Sequence, residues 1–323
     1  MKTSNRRQKL IILATVVTLA AGCVAFHVVS RSQSSETLDL PHYLGGPHAI
    51  ACQSNSSCLV IGEDYLAKGG FVGKANFEAN SITFTDLNRS LPVATALSCY
   101  AKDRCLVSFV SNSTAHALAQ FSPSTVSTNG VSYLAVPSQF QQVNAIYCES
   151  DSSICLVVGK ARGNYNFALS FFSTITASFI GKTIVKTLPD VGGVYDISCN
   201  RRKECLATLE NFDGTAGILD SFSLNSITPG NLSTLRFQSV ATPTANLLLA
   251  VSCSVTNCLV GGTDSSSIHG LLFTVDMTNP SHPYQQIALP KNQGPVLAVG
   301  DGEKIIFGGY QVYSNYGDIA TVG

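Results

Sequence analysis

One short stretch recurs six times along the chain and constrains its fold more than any other feature. The copies are AIACQSNSSCLVIG from Ala49, ALSCYAKDRCLVSF from Ala96, AIYCESDSSICLVVG from Ala145, DISCNRRKECLAT from Asp196, AVSCSVTNCLVGG from Ala250 and AVGDGEKIIFGG from Ala298. Each passes from a strand-like segment through a Cys, a polar turn and a second Cys into an apolar run. The sixth carries Asp301 and Ile305 where the cysteines would fall. The leading cysteines, Cys52, Cys99, Cys148, Cys199 and Cys253, lie 47, 49, 51 and 54 residues apart. A near-constant period of this size marks a repeat architecture, in which each unit buries its apolar faces against its neighbours.

Four strand-like segments fill a unit. In the third they are VNAIYC, ICLVVG, NFALSFF and ASFIGKTIV, followed by Leu188-Pro189. A pair ending in proline closes most units: Leu91-Pro92, Val136-Pro137, Leu188-Pro189, Thr242-Pro243 and Leu289-Pro290. Proline cannot donate to a ladder, so it suits the end of an outer edge strand. Four strands in about 50 residues is the content of a β-propeller blade. The last unit supplies only VLAVG, KIIFGGY and GDIATV, while ETLDLPHYLGG from Glu36 has no unit of its own. That segment reads as the missing outer strand of the last blade. The expectation is an all-β, six-bladed β-propeller of four-stranded blades over residues 36–323, closed by its N-terminal strand.

Within the first strand of each unit, Ile50, Leu97, Ile146, Ile197, Val251 and Val299 share parity with the Cys position. The opposite parity carries Ala49, Ala96, Ala145, Asp196, Ala250 and Ala298. Period-two alternation places these sets on opposite faces. One large and one small face allow inner strands to interdigitate as they crowd around an axis.

The paired cysteines stand five to seven positions apart. A tight hairpin of that length brings its arms within disulfide range. The pairing expected is Cys52-Cys58, Cys99-Cys105, Cys148-Cys155, Cys199-Cys205 and Cys253-Cys258. Zinc ligation would need ligands two to four residues apart and two pairs brought together, and a ring holds successive pairs a blade apart. No metal and no cofactor are expected. Five hairpin disulfides imply an oxidising compartment.

Cys23, the odd one of eleven cysteines, lies in LIILATVVTLAAGCVAFHVV, residues 10–29, behind Lys2, Arg6, Arg7 and Lys9. Basic residues before an apolar run are an export signal. Two endings are open. Ala20-Ala21-Gly22-Cys23 resembles a bacterial lipobox, which would lipidate Cys23. Alternatively the run is an uncleaved hydrophobic helix, about 30 Å long and sufficient to cross a bilayer core. Residues 1–35 therefore read as export signal or membrane anchor plus a short polar tether. The expected location is the cell envelope, in the periplasm or at the cell surface.

The repeat Ile-x-Cys-x(4-6)-Cys-Leu-x-Val-Gly resembles that of exported bacterial β-propellers carrying one cysteine-bridged hairpin per blade. Gly261-Gly262 and Gly308-Gly309 add a distant likeness to kelch blades, although the chain contains no Trp, which kelch repeats require. The resemblance implies a fold and export, and it implies no particular activity.

No nucleophile elbow, phosphate loop, zinc-protease helix or EF-hand loop occurs. Formal charge is zero and charged residues make up 12% of the chain, so there is no basic footprint for nucleic acid. Asp196 departs from the Ala of its repeat position and places a carboxylate where partners, water or a ligand must receive it. Other candidate ligand-binding residues are Tyr65, Arg162, Tyr165, Asp213, Tyr310, Tyr313 and Tyr316, in the turns joining second to third strands. Tyrosine at a rigid loop tip adds contact area at low entropy cost. No catalytic residue is assigned. The expectation is a membrane-tethered extracytoplasmic module that binds a protein or glycan partner without chemistry. The competing reading is a propeller enzyme, a lyase or glycan hydrolase, with its site at the channel mouth.

Overall fold

The structure, a computed structural model, describes residues 36–40, 44–54, 57–64, 69–79, 81–86, 93–101, 104–110, 116–122, 132–149, 152–163, 167–279, 284–300, 305–312 and 317–322. The expected N-terminal helix, Cys23, Tyr65, Tyr165, Tyr313 and Tyr316 lie outside these residues. Glu36–Val322 is one compact unit. Among the described residues, no helix is long and apolar enough to cross a membrane.

The strands fall into antiparallel sets of four. After β1 (Glu36–Asp39), the first set is β2 (Leu44–Ser54), β3 (Ser57–Asp64), β4 (Gly69–Asn76) and β5 (Ser81–Asp86). The next is β6 (Val93–Ala101), β7 (Arg104–Val110), β8 (His116–Phe121) and β9 (Ser132–Ala135), and a single bridge from Glu63 to Val93 merges these two sets into an eight-stranded sheet. Separate four-stranded sheets follow. One is β10 (Phe140–Cys148), β11 (Ile154–Ala161), β12 (Phe167–Ser173) and β13 (Ser178–Lys186); another is β14 (Val191–Cys199), β15 (Glu204–Asn211), β16 (Gly217–Ser223) and β17 (Gln238–Ser239). A third is β18 (Ala245–Cys253), β19 (Asn257–Asp264), β20 (Gly270–Asp276) and β21 (Gln285–Gln286). The last contains β22 (Gln293–Gly300), β23 (Ile305–Gln311) and β24 (Gly317–Val322), and its fourth strand is β1. β1 runs antiparallel to β24, with Glu36 opposite Thr321 and Asp39 opposite Asp318. The chain's first strand thus completes its last sheet.

Apolar packing explains how the sheets stack. Six buried clusters form, each between one set and the next, and one of them joins the last set to the first through Leu40, Ile50, Val60, Phe71, Ala298, Ile306 and Ile319. The first strands β2, β6, β10, β14, β18 and β22 likewise touch in that order, and β22 touches β2. The two faces of each first strand divide as the parity implies. Ile146 and Ile197 pack backward on the preceding set, while Ala145 packs forward on the following one. Central strands are covered on both faces, which is why Leu59, Val60 and Ile61 form a continuous apolar run, each no more than 1% exposed.

All five expected disulfides are present, each joining residues directly opposite across a first and second strand. The diglycines have a local cause. A Cβ at Gly262 would lie 2.1 Å from the Leu247 carbonyl oxygen, and one at Gly309 would lie 2.0 Å from that of Pro295. Their partners, Gly261 and Gly308, leave room instead for Val296 and Pro47 side chains from neighbouring strands.

Candidate functional site

Every first strand carries a β-bulge at the same level. The register steps over one extra residue, which is His48, Thr95, Asn144, Tyr195, Leu249 or Leu297 in chain order. A bulge breaks the period-two alternation and re-aims a side chain, a common device beside binding sites. Here the first five of these residues line a central cavity of about 760 Å³. The cavity extends along the first strands to the disulfide hairpins, where Glu149, Arg201, Ser254 and Val255 form its mouth.

Most polar groups in the wall are engaged in joining neighbouring sets. Inner strands are sheet edges, so their outward backbone groups need partners from elsewhere. Ser98 Oγ accepts from Cys148 N–H at 2.9 Å, and Ser198 Oγ accepts from Cys253 N–H at 2.9 Å. Thr95 Oγ1 donates to the Val143 carbonyl at 2.7 Å, and Asn144 Nδ2 donates to the Val194 carbonyl at 2.6 Å. Asp196 uses both oxygens as acceptors, Oδ1 from its neighbour Ile197 N–H at 2.8 Å and Oδ2 from Val251 N–H at 2.9 Å in the next set. The carboxylate that breaks the alanine pattern is a latch between two first strands.

Among the described residues that line the cavity, His48 and Asn144 each hold a fully buried side-chain atom, Nε2 and Oδ1, without a hydrogen-bond partner. Burial holds the His48 imidazolium pKa below its ordinary value, with Glu63 partly opposing the effect. Burial raises the Asp196 carboxyl to about 7, against the lowering effect of its two backbone donors. Tyr147, on the cavity wall near the mouth, is pushed up to about 12 by burial and by Glu149. The Tyr195 hydroxyl donates to Glu210 Oε2 at 2.5 Å, and burial together with that carboxylate raises its pKa. Among the described residues no three His, Cys, Asp or Glu side chains gather as a metal site would require.

Of the sequence-expected site residues, Asp196 lines the cavity. Arg162 and Asp213 follow the ends of β11 and β15 remote from the disulfides, Tyr310 lies near the corresponding end of β23, and none of the three is in the cavity wall. Arg162 is exposed, with Nε donating to the Phe140 carbonyl at 3.4 Å. Asp213 is exposed in a turn closed by Gly214 at φ 67°, so turn chemistry accounts for the Asp-Gly pair. Tyr310 is half-buried, and its ring occupies the space beside Gly46. Sequence reading places His48 in a loop of the candidate binding face and misses Asn144, Tyr147 and Tyr195. The signal was present: the position just before each repeat's small residue varies through His, Thr, Asn, Tyr and Leu in an otherwise uniform pattern.

The sequence matches no family model and no curated protein. Solved structures do match its fold. The hydrazine synthase of Kuenenia stuttgartiensis aligns over 87% of this chain and 96% of its own at 9% identity, with a TM-score of 0.55. The RRP9 WD40 repeats align over 91% and 98% at 9% identity, with a TM-score of 0.55. A Bacteroides thetaiotaomicron protein of unknown function aligns over 90% and 76% at 12% identity, with a TM-score of 0.56. These neighbours are β-propellers, and at such identities the likeness establishes the fold alone: the described chain is an all-β, disulfide-bonded protein of the β-propeller type.

Proposed function

We propose that residues 36–323 are a six-bladed β-propeller serving as a non-catalytic binding module for a protein or glycan partner. Residues 1–35 export it and hold it to a membrane outside the cytoplasm, through the apolar run 10–29 or a lipidated Cys23. The observation that carries the reading is the commitment of the channel's polar side chains. Thr95, Ser98, Asp196 and Ser198 each bond the backbone of the following set, so these groups hold the ring together instead of facing a reacting atom. A ring pinned by disulfide hairpins and closed by β1 is a rigid platform, and rigidity lowers the entropy lost on binding. Candidate contacts at the end away from the disulfides are Arg162, Asp213 and Tyr310, and the sequence adds Tyr65, Tyr165, Tyr313 and Tyr316 to them. The five disulfides support an oxidising location.

The test is an affinity pull-down of the full-length chain from cross-linked native membranes, with Cys23→Ala and an Arg162→Ala/Asp213→Ala double variant alongside. Recovery of one stoichiometric partner set, lost in the loop double variant, is the expected outcome. Release of Cys23→Ala from the membrane fraction would assign the tether to lipid, and its retention would assign it to the helix. No partner recovered with any form would end the scaffold reading.

A further inference from the structure

We infer that the disulfide-hairpin end of the ring docks on an anionic bilayer surface and leaves the opposite end free for the partner. This rests on the membrane-tethered reading and adds to it an orientation and a lipid-facing surface.

The closing strand gives the point of attachment. β24 runs from Gly317, opposite Tyr310, to Val322, opposite Ile305, and Ile305 holds the place of a second cysteine. β1 runs against it, with Glu36 opposite Thr321 and Asp39 opposite Asp318. The chain therefore enters the ring at the hairpin end. Six residues, 30–35, separate the apolar run from Glu36, and that length spans at most about 20 Å. A ring inverted on the bilayer would hold Glu36 roughly 30 Å above it, the length of a nine-residue strand such as β10, beyond that reach. With Cys23 lipidated the tether is the twelve residues 24–35, and it enters the ring at the same end.

Exposed apolar side chains occur at both ends, so their charged neighbours decide which end suits lipid. At the hairpin end they are Ile175, 79% exposed in the β12–β13 turn, Ile154 at the start of β11, and Val255 in the β18–β19 hairpin. Between them in ring order stands the β14–β15 hairpin, with Arg201 and Arg202 exposed. Among the described residues neither arginine has a carboxylate within ion-pair distance. The carboxylates of this sector are engaged: Glu149 pairs with Lys203 at 3.3 Å, Glu204 accepts from Ser223 and Asn225, and Asp276 accepts from Thr278. At the far end the exposed Phe212 and Ile268 share their turns with Asp213 and Asp264. Aliphatic tips beside unpaired cations suit the boundary of an anionic bilayer, where the tips enter the headgroup region and the guanidinium groups reach phosphates. Carboxylates beside the apolar tips of the other end oppose the same contact. Tethering makes docking intramolecular, so a weak surface affinity is enough to hold the ring down.

The chain contains no Trp, so one introduced Trp reports its own surroundings. The oxidised full-length chain is reconstituted in vesicles of phosphatidylcholine and phosphatidylglycerol, with and without bromine on the acyl chains. Val255→Trp and Ile175→Trp probe the hairpin end, and Ile268→Trp probes the other end of the strand set that carries Val255. Brominated lipid should quench both hairpin probes and leave Ile268→Trp unchanged. Adding Arg201→Glu/Arg202→Glu to Val255→Trp should reduce its quenching by about half or more, since basic residues near an anionic surface supply the attraction. Ile175→Trp keeps the test decisive where Val255→Trp fails to fold. The proposal is overturned where neither hairpin probe is quenched, where Ile268→Trp is quenched as strongly, or where the charge reversal changes nothing. Vesicle flotation separates the failures. If the chain floats with its hairpin probes unquenched, the orientation falls and the tether stands. If the chain does not float, the tether falls and the orientation with it. If the hairpin probes are quenched and the pull-down recovers no partner, the binding module falls and the orientation stands.

Discussion

Asp196 makes the stability of this ring depend on pH in a direction opposite to that of most carboxylates. Its carboxyl is raised from an ordinary 3.8 to about 7 in the folded protein, chiefly by burial. Between those values the folded state holds a proton that the unfolded chain has released, so stability falls as pH rises. The contribution is fully present below about pH 4 and is lost as pH passes 7. That difference corresponds to about 4 kcal/mol. The cavity leaves Asp196 partly open to water, so about 4 kcal/mol is an upper figure. The perturbation is Asp196→Ala. It removes the acceptor of Val251 N–H and that of Ile197 N–H, which should destabilise the protein by roughly 2 kcal/mol at pH 4.5, after cavity water replaces part of what is lost. At pH 8 the parent carries the cost of an ionised carboxylate, so the gap should close or reverse. The assay is denaturant unfolding of the oxidised parent and variant at several pH values from 4.5 to 8. His48, whose lowered pKa acts in the opposite sense on acidification, and Asp220, whose pKa burial raises, are common to both proteins and cancel in the difference. Parallel pH profiles for parent and variant would refute the reasoning, since Asp196 would then titrate alike folded and unfolded.

Three further outcomes test the frame around the cavity. Gly309→Ala places a Cβ 2.0 Å from the Pro295 carbonyl oxygen and should cost about 3 kcal/mol, roughly 6 °C in a thermal melt; an unchanged melt would mean that the bulged strand can yield. Replacing both Cys199 and Cys205 by Ser opens a hairpin loop whose cysteines are 6 positions apart and should lower stability by about 2 kcal/mol while leaving the circular dichroism of the sheets intact. Deleting residues 36–39 exposes the free edge of β24, and size-exclusion chromatography should then report concentration-dependent association that the intact chain lacks.

The parts of this protein that obey a period were legible in its sequence. The cysteine pairs recur at a nearly fixed spacing, so the hairpins and their disulfides follow from local geometry. The alternation of Ile146 and Ile197 against Ala145 and Ala250 is local too, and each face packs where its size allows. The closing strand could be inferred because the last unit lacks one strand and the segment from Glu36 has no unit, and β1 does pair with β24. The diglycines answer to a carbonyl oxygen from the adjacent strand, a cause that no local pattern contains.

The cavity was decided by tertiary structure. Strict alternation assigns His48 and Asn144 to the same face as Ile50 and Ile146, and one extra residue in each first strand cancels that assignment. Whether a polar atom is left unpaired depends on every neighbour from three strands and two sets, as with Asn144, whose amide finds Val194 while its oxygen finds nothing. Asp196 shows the same division. Its departure from alanine is written in the sequence, but its partner Val251 lies 55 residues away and is brought to it only by the stacking of one first strand on the next. Periodicity is a property of the chain and can be read along it; the pairing of single atoms across a ring is a property of the closed assembly, because it is set by contacts between segments far apart in sequence.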